Sequence, residues 1–393
     1  MGAPVVRIGV CGLGRGFLLT APALLSDPRV RLVAAAEPRP EARARFEAEI
    51  GGRTYPDIEA LCEDPEADLI YIASPHALHA AQAITAARAG KHVLVEKPMA
   101  LELTHAARMI AAALEAGVRL IVGPSHGFDA PVLLARRLIA AGDYGTPRMI
   151  TALNYTDFVY RPRRPDELDP RLGGGAVLNQ ASHQVDIVRV LMGEAIRGVR
   201  AVVGDWDEAR ATEGAYSALL TFAGGGAASL AYSGYGRFDS DEFCGWVGET
   251  GAPKDPLAPR RSLRTLLESA ASEGEQRRGR SYGEAGLEAS HASPGVHEHF
   301  GLVIVSCERA DLRLTPEGVW VYGDGSPRLH RPEPSAHPRT TVVDEIWGAV
   351  VEGREPLHSG AWGMATLEAC LAIRESSRLG REIIMEEARR GEA

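Results

Sequence analysis

Between Val5 and Val122 short apolar runs alternate with amphipathic stretches, and that alternation limits the fold more than any other property of the sequence. Val5–Cys11, Arg31–Ala36, Leu69–Ala73, His92–Val95 and Leu120–Val122 are predicted strands. Leu18–Leu25, Glu41–Ile50, Ala77–Ala89 and His105–Ala116 are predicted helices, the last two stopped by Gly90 and Gly117. Strands that are apolar on both faces must be covered by helices on both. The alternation therefore predicts an N-terminal α/β domain, a Rossmann-type doubly wound parallel sheet, over residues 1–124.

After Gly123-Pro124 the pattern changes. Arg148–Tyr155, Val199–Val203, Ala215–Phe222, Ala227–Tyr235, Leu302–Cys307 and Val319–Tyr322 are strand-like, mostly joined by glycine turns. They predict a C-terminal α+β domain, on a largely antiparallel open sheet, over residues 125–393. Between Trp246 and Val296 the chain is rich in Gly, Pro, Ser, Glu and Arg, with one helical island near Ser262–Ala270; a long excursion or lid is expected there.

A chain of 393 residues is too long for one small core and suits two such domains or one large one. Its net charge of −9 offers no basic footprint, so nucleic acid is not an expected partner. Cys11, Cys62, Cys244, Cys307 and Cys370 are scattered, odd in number and without a Cys-x-x-Cys pair. Reduced thiols in a cytoplasm are expected, rather than disulfides or a zinc site. No apolar stretch approaches the roughly 20 residues that span a bilayer, and no signal core follows the N-terminus, so no membrane partner is expected.

The first strand runs into Gly12-Leu13-Gly14-Arg15-Gly16-Phe17. The first glycine permits a tight turn, and the second lets backbone N–H groups approach a pyrophosphate at the helix start. The third position of the fingerprint holds Phe17, with Gly16 one place early. Glu37 ends the second strand, where an acid accepts from ribose hydroxyls and repels a 2′-phosphate, which favours NAD; Arg39 and Arg43 stand nearby. A ligand-free glycine turn is the alternative.

Two other stretches carry chemistry. The apolar run His92–Val95 ends abruptly in Glu96-Lys97-Pro98, and a charged pair at the mouth of a buried strand needs pairing or a use. Asn179, His183 and Asp186 recur at i, i+4 and i+7 beside the apolar stripe Val185, Val188 and Met192. His183 is thereby placed to act as a general base. A histidine satisfied within the core is the usual alternative. Arg161, Arg163 and Arg164 crowd a proline-bounded loop, where guanidinium forks suit a carboxylate and a solvated basic loop is equally open. His297-Glu298-His299 offers at most two ligands on one face, so no metal is expected.

Gly12-x-Gly14, Ser74-Pro75-His76-x-x-His79, Glu96-Lys97-Pro98 and Gly173-Gly174-Gly175 followed by His183, in that order, resemble the Gfo/Idh/MocA oxidoreductase family. The closing stretch Ala369–Arg381 is similar to the family's terminal helix. The resemblance implies Lys97 and His183 as catalytic residues, with Lys97 buried beside the reacting hydroxyl after an often cis proline. It implies Gly12, Leu13, Gly14, Arg15, Gly16, Phe17, Glu37, Ser74, Pro75, His79, Glu96 and Lys97 around NAD. Around a small-molecule substrate it implies His126, Arg163, Arg164, Asn179 and Asp186, and it implies a homo-oligomer, dimer or tetramer, formed through the second sheet. One departure stands out: sugar and inositol members carry Asp where this chain has Asn179, and an amide cannot take a proton.

Thr151–Asp169, Asn179–Arg189, Tyr232–Phe243 and His297–Arg313 are similar to the phthalate dihydrodiol dehydrogenases of that family. This implies NAD-dependent oxidation of a cis-dihydrodiol of an aromatic acid, phthalate dihydrodiol to dihydroxyphthalate. A sugar or cyclitol dehydrogenase of the same family is the first alternative, separated by a polyol panel. A non-catalytic dinucleotide sensor is the second, separated by whether any substrate produces NADH absorbance.

Overall fold

The computed structural model describes residues 4–257, 273–283, 287 and 296–385. The chain divides into two units, Met1–Pro124 with Gly274–His291 and Ser335–Leu367, and Ser125–Glu273 with Ala292–Pro334 and Glu368–Ala393.

In the first unit the strands β1 (Val6–Cys11), β2 (Val30–Ala36), β3 (Arg53–Tyr55), β4 (Leu69–Ile72), β5 (His92–Val95) and β6 (Leu120–Val122) form one parallel sheet in the order β3-β2-β1-β4-β5-β6. Ile8, Val10, Leu69, Ile70, Ile72, Val93, Leu94 and Val95 are wholly or almost wholly buried, as strands covered on both faces require. The connecting helices are α1 (Arg15–Ser26), α2 (Pro40–Ile50), α3 (Ile58–Cys62), α4 (His79–Arg88) and α5 (Leu103–Ala116). The strand order reverses between β1 and β4, and ligands of open α/β sheets bind at such a switch point.

Two later segments return to this unit, so the second domain is not the uninterrupted 125–393 that the change of pattern suggested. Ser335–Leu367 carries the helix Thr340–Val350 and then covers the β6 edge: the Val122 N–H donates to the His358 carbonyl at 2.8 Å, and Ile121 bridges Ser359. An uncovered edge would leave those backbone groups unpaired. The other segment contains Tyr282, fully buried edge-on against Phe17 with centroids 5.2 Å apart, its hydroxyl donating to Glu49 at 2.8 Å. Part of the expected excursion is thus built into the core of the first unit. The helical island near Ser262–Ala270 lies outside the described residues.

In the second unit β7 (Pro147–Tyr155), β8 (Ile196–Gly204), β9 (Ala215–Phe222), β10 (Ala227–Ser233), β11 (Leu302–Cys307), β12 (Asp311–Thr315), β13 (Gly318–Tyr322), β14 (Arg328–His330) and β15 (Ile383–Ile384) make a sheet ordered β14-β13-β12-β11-β7-β10-β9-β8-β15. Every neighbouring pair is antiparallel except β7 with β10, which run parallel from Met149/Ala227 to Tyr155/Ser233. Its helices include α6 (Ala130–Ala140), α7 (Pro165–Leu168) and α8 (Ser182–Met192). Ile150, Ala152, Ala218, Leu220, Ala228 and Leu230 are buried, while Met149, Val202 and Leu219 on alternate positions are exposed, so the sheet has one covered and one open face.

Candidate active site

Each part of the glycine loop has a physical reason. Gly12 has φ +94°, and a Cβ there would stand 2.8 Å from the Ser74 nitrogen and 2.9 Å from the Ala73 carbonyl. Only glycine fits so close to the end of β4. Gly14 caps α1 in an extended conformation and, as a glycine, offers no side chain of its own to the first N–H groups of that helix. A Cβ on Gly16 would come within 2.9 Å of Glu96 Oε1, so the glycine that arrives one place early makes room for the Glu96 carboxylate at the first turn of α1. Glu96 in turn accepts from Tyr71 Oη at 2.7 Å. Phe17 is fully buried between Phe46 and Tyr282, and its side chain belongs to the core; what this position can offer a cofactor is its backbone.

Glu37 is buried, accepts from the Leu13 N–H at 2.9 Å and pairs with Arg39 Nε at 2.8 Å. Arg39 Nη2 also donates to the Leu13 carbonyl, and Arg43 Nη1 to the Glu37 carbonyl. Burial alone would raise the Glu37 carboxyl, but the Arg39 hydrogen bond and the Leu13 N–H outweigh it and hold the group below its ordinary value. An acid ionised at neutral pH at the end of β2, a glycine cradle and a helix start capped by glycine fit an NAD ribose and pyrophosphate.

His79 is fully buried with its ring between two carbonyls, Nδ1 2.9 Å from Pro98 O and Nε2 2.9 Å from Ser74 O. It braces the turn after β4 against the turn after β5. The Lys97-Pro98 peptide is cis, as the resemblance implied, but Lys97 is half-buried rather than buried. It lies beyond the end of β5, where a lysine can cover its stem while its ammonium keeps access to water or substrate.

In the second unit the predicted polar face of the Asn179 helix is altered. Val177–Ala181 is a π-type turn, and α8 begins only at Ser182. Asn179 Nδ2 donates to the carbonyls of Gly173 and Gly175, at 2.9 and 2.8 Å, so its amide ties down the glycine triplet. Asp186 is buried and accepts from the Ser125 hydroxyl. His183 Nδ1 accepts from the His126 N–H at 3.3 Å, and the two rings meet edge to face with centroids 4.7 Å apart. Phe300 lies 4.9 Å from each ring.

Four functional candidates were missed by sequence reasoning. Asp129 Oδ2 is 2.7 Å from His126 Nδ1; burial lowers His126, but the charge and hydrogen bond of Asp129, joined by the charges of Glu298 and Glu249, together raise it above its ordinary value. Glu298, from the His-Glu-His stretch, is buried beside this pair; one ligand atom from each of His126, Asp129 and Glu298 lies within 4.8 Å of the others. Glu249 bonds Asn154 and Arg161, and although burial would raise its carboxyl, the charges of Arg161 and His126 bring it down to about 2. Phe300 completes the aromatic wall. The usable signals were the His126-x-x-Asp129 spacing and the His297-Glu298-His299 stretch, weighed above only for its histidines.

The arginine loop separates into three environments. Arg161 holds Asp157 at 2.6 Å and Glu249 at 3.4 Å. Arg163 lies 3.9 Å over the Phe158 ring and donates to the Phe158 carbonyl at 3.2 Å. Arg164 grips Asp166 through two 3.0 Å hydrogen bonds.

The fold and the nucleotide cradle define an NAD-dependent oxidoreductase. Residues 6–124 match the model of an oxidoreductase family with an NAD-binding Rossmann fold, and residues 132–252 match the Gfo/Idh/MocA C-terminal domain. The chain belongs to the Gfo/Idh/MocA oxidoreductase family. It is 44% identical, over 95% of both chains, to a 1-carboxy-3-chloro-3,4-dihydroxycyclohexa-1,5-diene dehydrogenase of Comamonas testosteroni. A myo-inositol 2-dehydrogenase of Thermotoga maritima is 31% identical over 50% of this chain and 58% of its own. Among solved structures, a putative dehydrogenase from Bordetella bronchiseptica RB50 superposes with a TM-score of 0.92 at 39% identity, covering 97% of this chain and all of that one. No helix among the described residues is long and apolar enough to cross a membrane.

Proposed function

We propose that the chain oxidises a cis-dihydrodiol of a ring-carboxylated cyclohexadiene with NAD, with phthalate dihydrodiol as the first substrate to try. The observation that carries this is the near full-length similarity to the Comamonas dehydrogenase, whose name specifies such a carboxylated diol. NAD supplies a hydride acceptor at its nicotinamide ring. Gly12, Gly14, Gly16 and the N–H groups at the start of α1 hold its pyrophosphate, and Glu37 its ribose. Lys97 stabilises the charge that develops on the substrate oxygen, and His126 and His183 manage the proton of that hydroxyl. The dienone formed enolises to a catechol, and this aromatisation makes the oxidation one-way.

Asn179 favours this reading over a polyol. The acid expected at that position in sugar members is replaced by an amide already committed to two backbone carbonyls. The substrate carboxylate is assigned to Arg163, which lies over the Phe158 ring; Phe158 meets buried Tyr232 edge-on, and Tyr232 stacks on Phe300 beside His126 and His183. The exposed sheet face with Met149, Val202 and Leu219 supports self-association, and the five free cysteines suit a reducing cytoplasm. The test is NADH production from dihydrodiols with and without ring carboxylates beside a polyol panel. Turnover of the carboxylated diols is expected, and turnover of polyols alone would overturn the proposal.

A further inference from the structure

His183, the histidine of the predicted helix, is not arranged as a base. Its Nδ1 accepts the His126 N–H. A ring nitrogen that accepts carries no proton, so neutral His183 bears its hydrogen on Nε2 and presents a donor there. His126 is arranged the opposite way. Its Nδ1 faces the Asp129 carboxylate at 2.7 Å, and a carboxylate takes that N–H, which leaves the lone pair on Nε2. His126 and Asp129 are both at least nine-tenths buried, so the pair is held out of bulk water. Asn179, four residues before His183, is an amide that takes no proton, and its Nδ2 is bonded to the carbonyls of Gly173 and Gly175.

We infer that His126, oriented by Asp129, is the proton acceptor of the reaction, and that His183 is a hydrogen-bond donor to the same substrate oxygen. This rests on the dehydrogenase function proposed above. In the step, the substrate O–H bond breaks and its proton goes to His126 Nε2. The adjacent C–H bond breaks with its electron pair passing to NAD as hydride, and the C=O bond forms. His126 becomes an imidazolium paired with Asp129, then returns the proton to water.

The groups that set the charge of His126 are Asp129 on its own segment, His183 on α8, Glu298 before β11 and Glu249 after β10. Asp129 favours the protonated ring, so the rate should rise with pH through a value above that of an ordinary histidine. Asp129→Asn should move this limb to lower pH while lowering the plateau, a displacement that loss of packing alone does not give. His126→Ala should lower kcat by about 10²-fold or more, with part of the rate restored by added imidazole. His183→Gln, which keeps a donor, should retain the limb and lose less rate.

Selective ¹⁵N-histidine NMR of the whole chain reads the tautomers without any substrate: Nδ1–H is expected for His126 and Nε2–H for His183. The opposite tautomers, or imidazole rescue of His183→Ala but not of His126→Ala, would overturn the assignment. So would activity lost on dialysis against a chelator and restored by zinc, since His126, Asp129 and Glu298 would then be metal ligands. If the wild type turns over no dihydrodiol, the proposed function fails; if it turns over the diol and His126→Ala is unimpaired, only the base assignment fails.

Discussion

Glu37 and Asp129 are both buried carboxylates, one in each unit, yet they are placed by different means. Glu37 sits at the end of a strand and takes the N–H of Leu13 in the adjoining glycine loop, so its partners are fixed by the sheet and by an arginine two residues on. Asp129 takes a side chain, His126, whose neighbours come from two distant stretches, His183 from α8 and Glu298 with Phe300 from the segment before β11. The first arrangement needs little beyond local backbone geometry and tolerates varied helices around it. The second depends on the whole sheet being assembled, and it is there that members of one family can diverge in substrate.

The contrast can be broken by substitution. Lys97→Met should have the largest effect: kcat falls by about 10²-fold or more while NAD affinity, read by nucleotide fluorescence, stays within a few-fold. Lost NAD binding would mean that the turn after β5 serves the nucleotide and not the hydroxyl. Next, Glu37→Ala leaves the Leu13 N–H unsatisfied and releases Arg39 toward a 2′-phosphate. The preference for NAD over NADP in kcat/KM should shrink by about 1–3 kcal/mol. An unchanged ratio would show that the local geometry, rather than the charge, selects the cofactor.

Arg163→Met keeps a stem on Phe158 and removes the fork. It should raise KM for a carboxylated diol by about 1–2 kcal/mol, discounted for half-exposure, and spare a diol without carboxylates. Equal effects on both substrates would mark Arg163 as a brace of its loop. Arg164→Met should cost under about 1 kcal/mol in thermal unfolding and nothing in KM, because its partner Asp166 is a half-exposed neighbour. A KM change there would exchange the roles of the two arginines.

What could be read in advance follows the same division. Every strand from β1 to β6 except β3 was legible, because a buried parallel strand leaves an uninterrupted apolar run. β3, with Arg53, Thr54 and Tyr55 at the sheet edge, leaves none. The helix around His183 was legible as a periodicity, but a π-type turn shifts its start, and no hydropathy pattern records that. Glu249 and Phe300 were illegible for another reason: each is an unremarkable residue in its own stretch and gains its role only from what the folded sheet places beside it. Gly16 shows the reverse case, an irregular motif whose cause, the Glu96 carboxylate, lies eighty positions away in sequence.

The edge of β6, closed by His358 and Ser359, has a consequence for biosynthesis. A ribosome releases the six parallel strands early, but the residues that satisfy Val122 and bridge Ile121 emerge only after the entire second sheet has been translated up to β14. Until then the nascent Rossmann sheet carries an unprotected template for pairing with neighbouring chains. Chains truncated before His358 should therefore engage chaperones or aggregate through that edge, even though every glycine of the nucleotide loop is already in place.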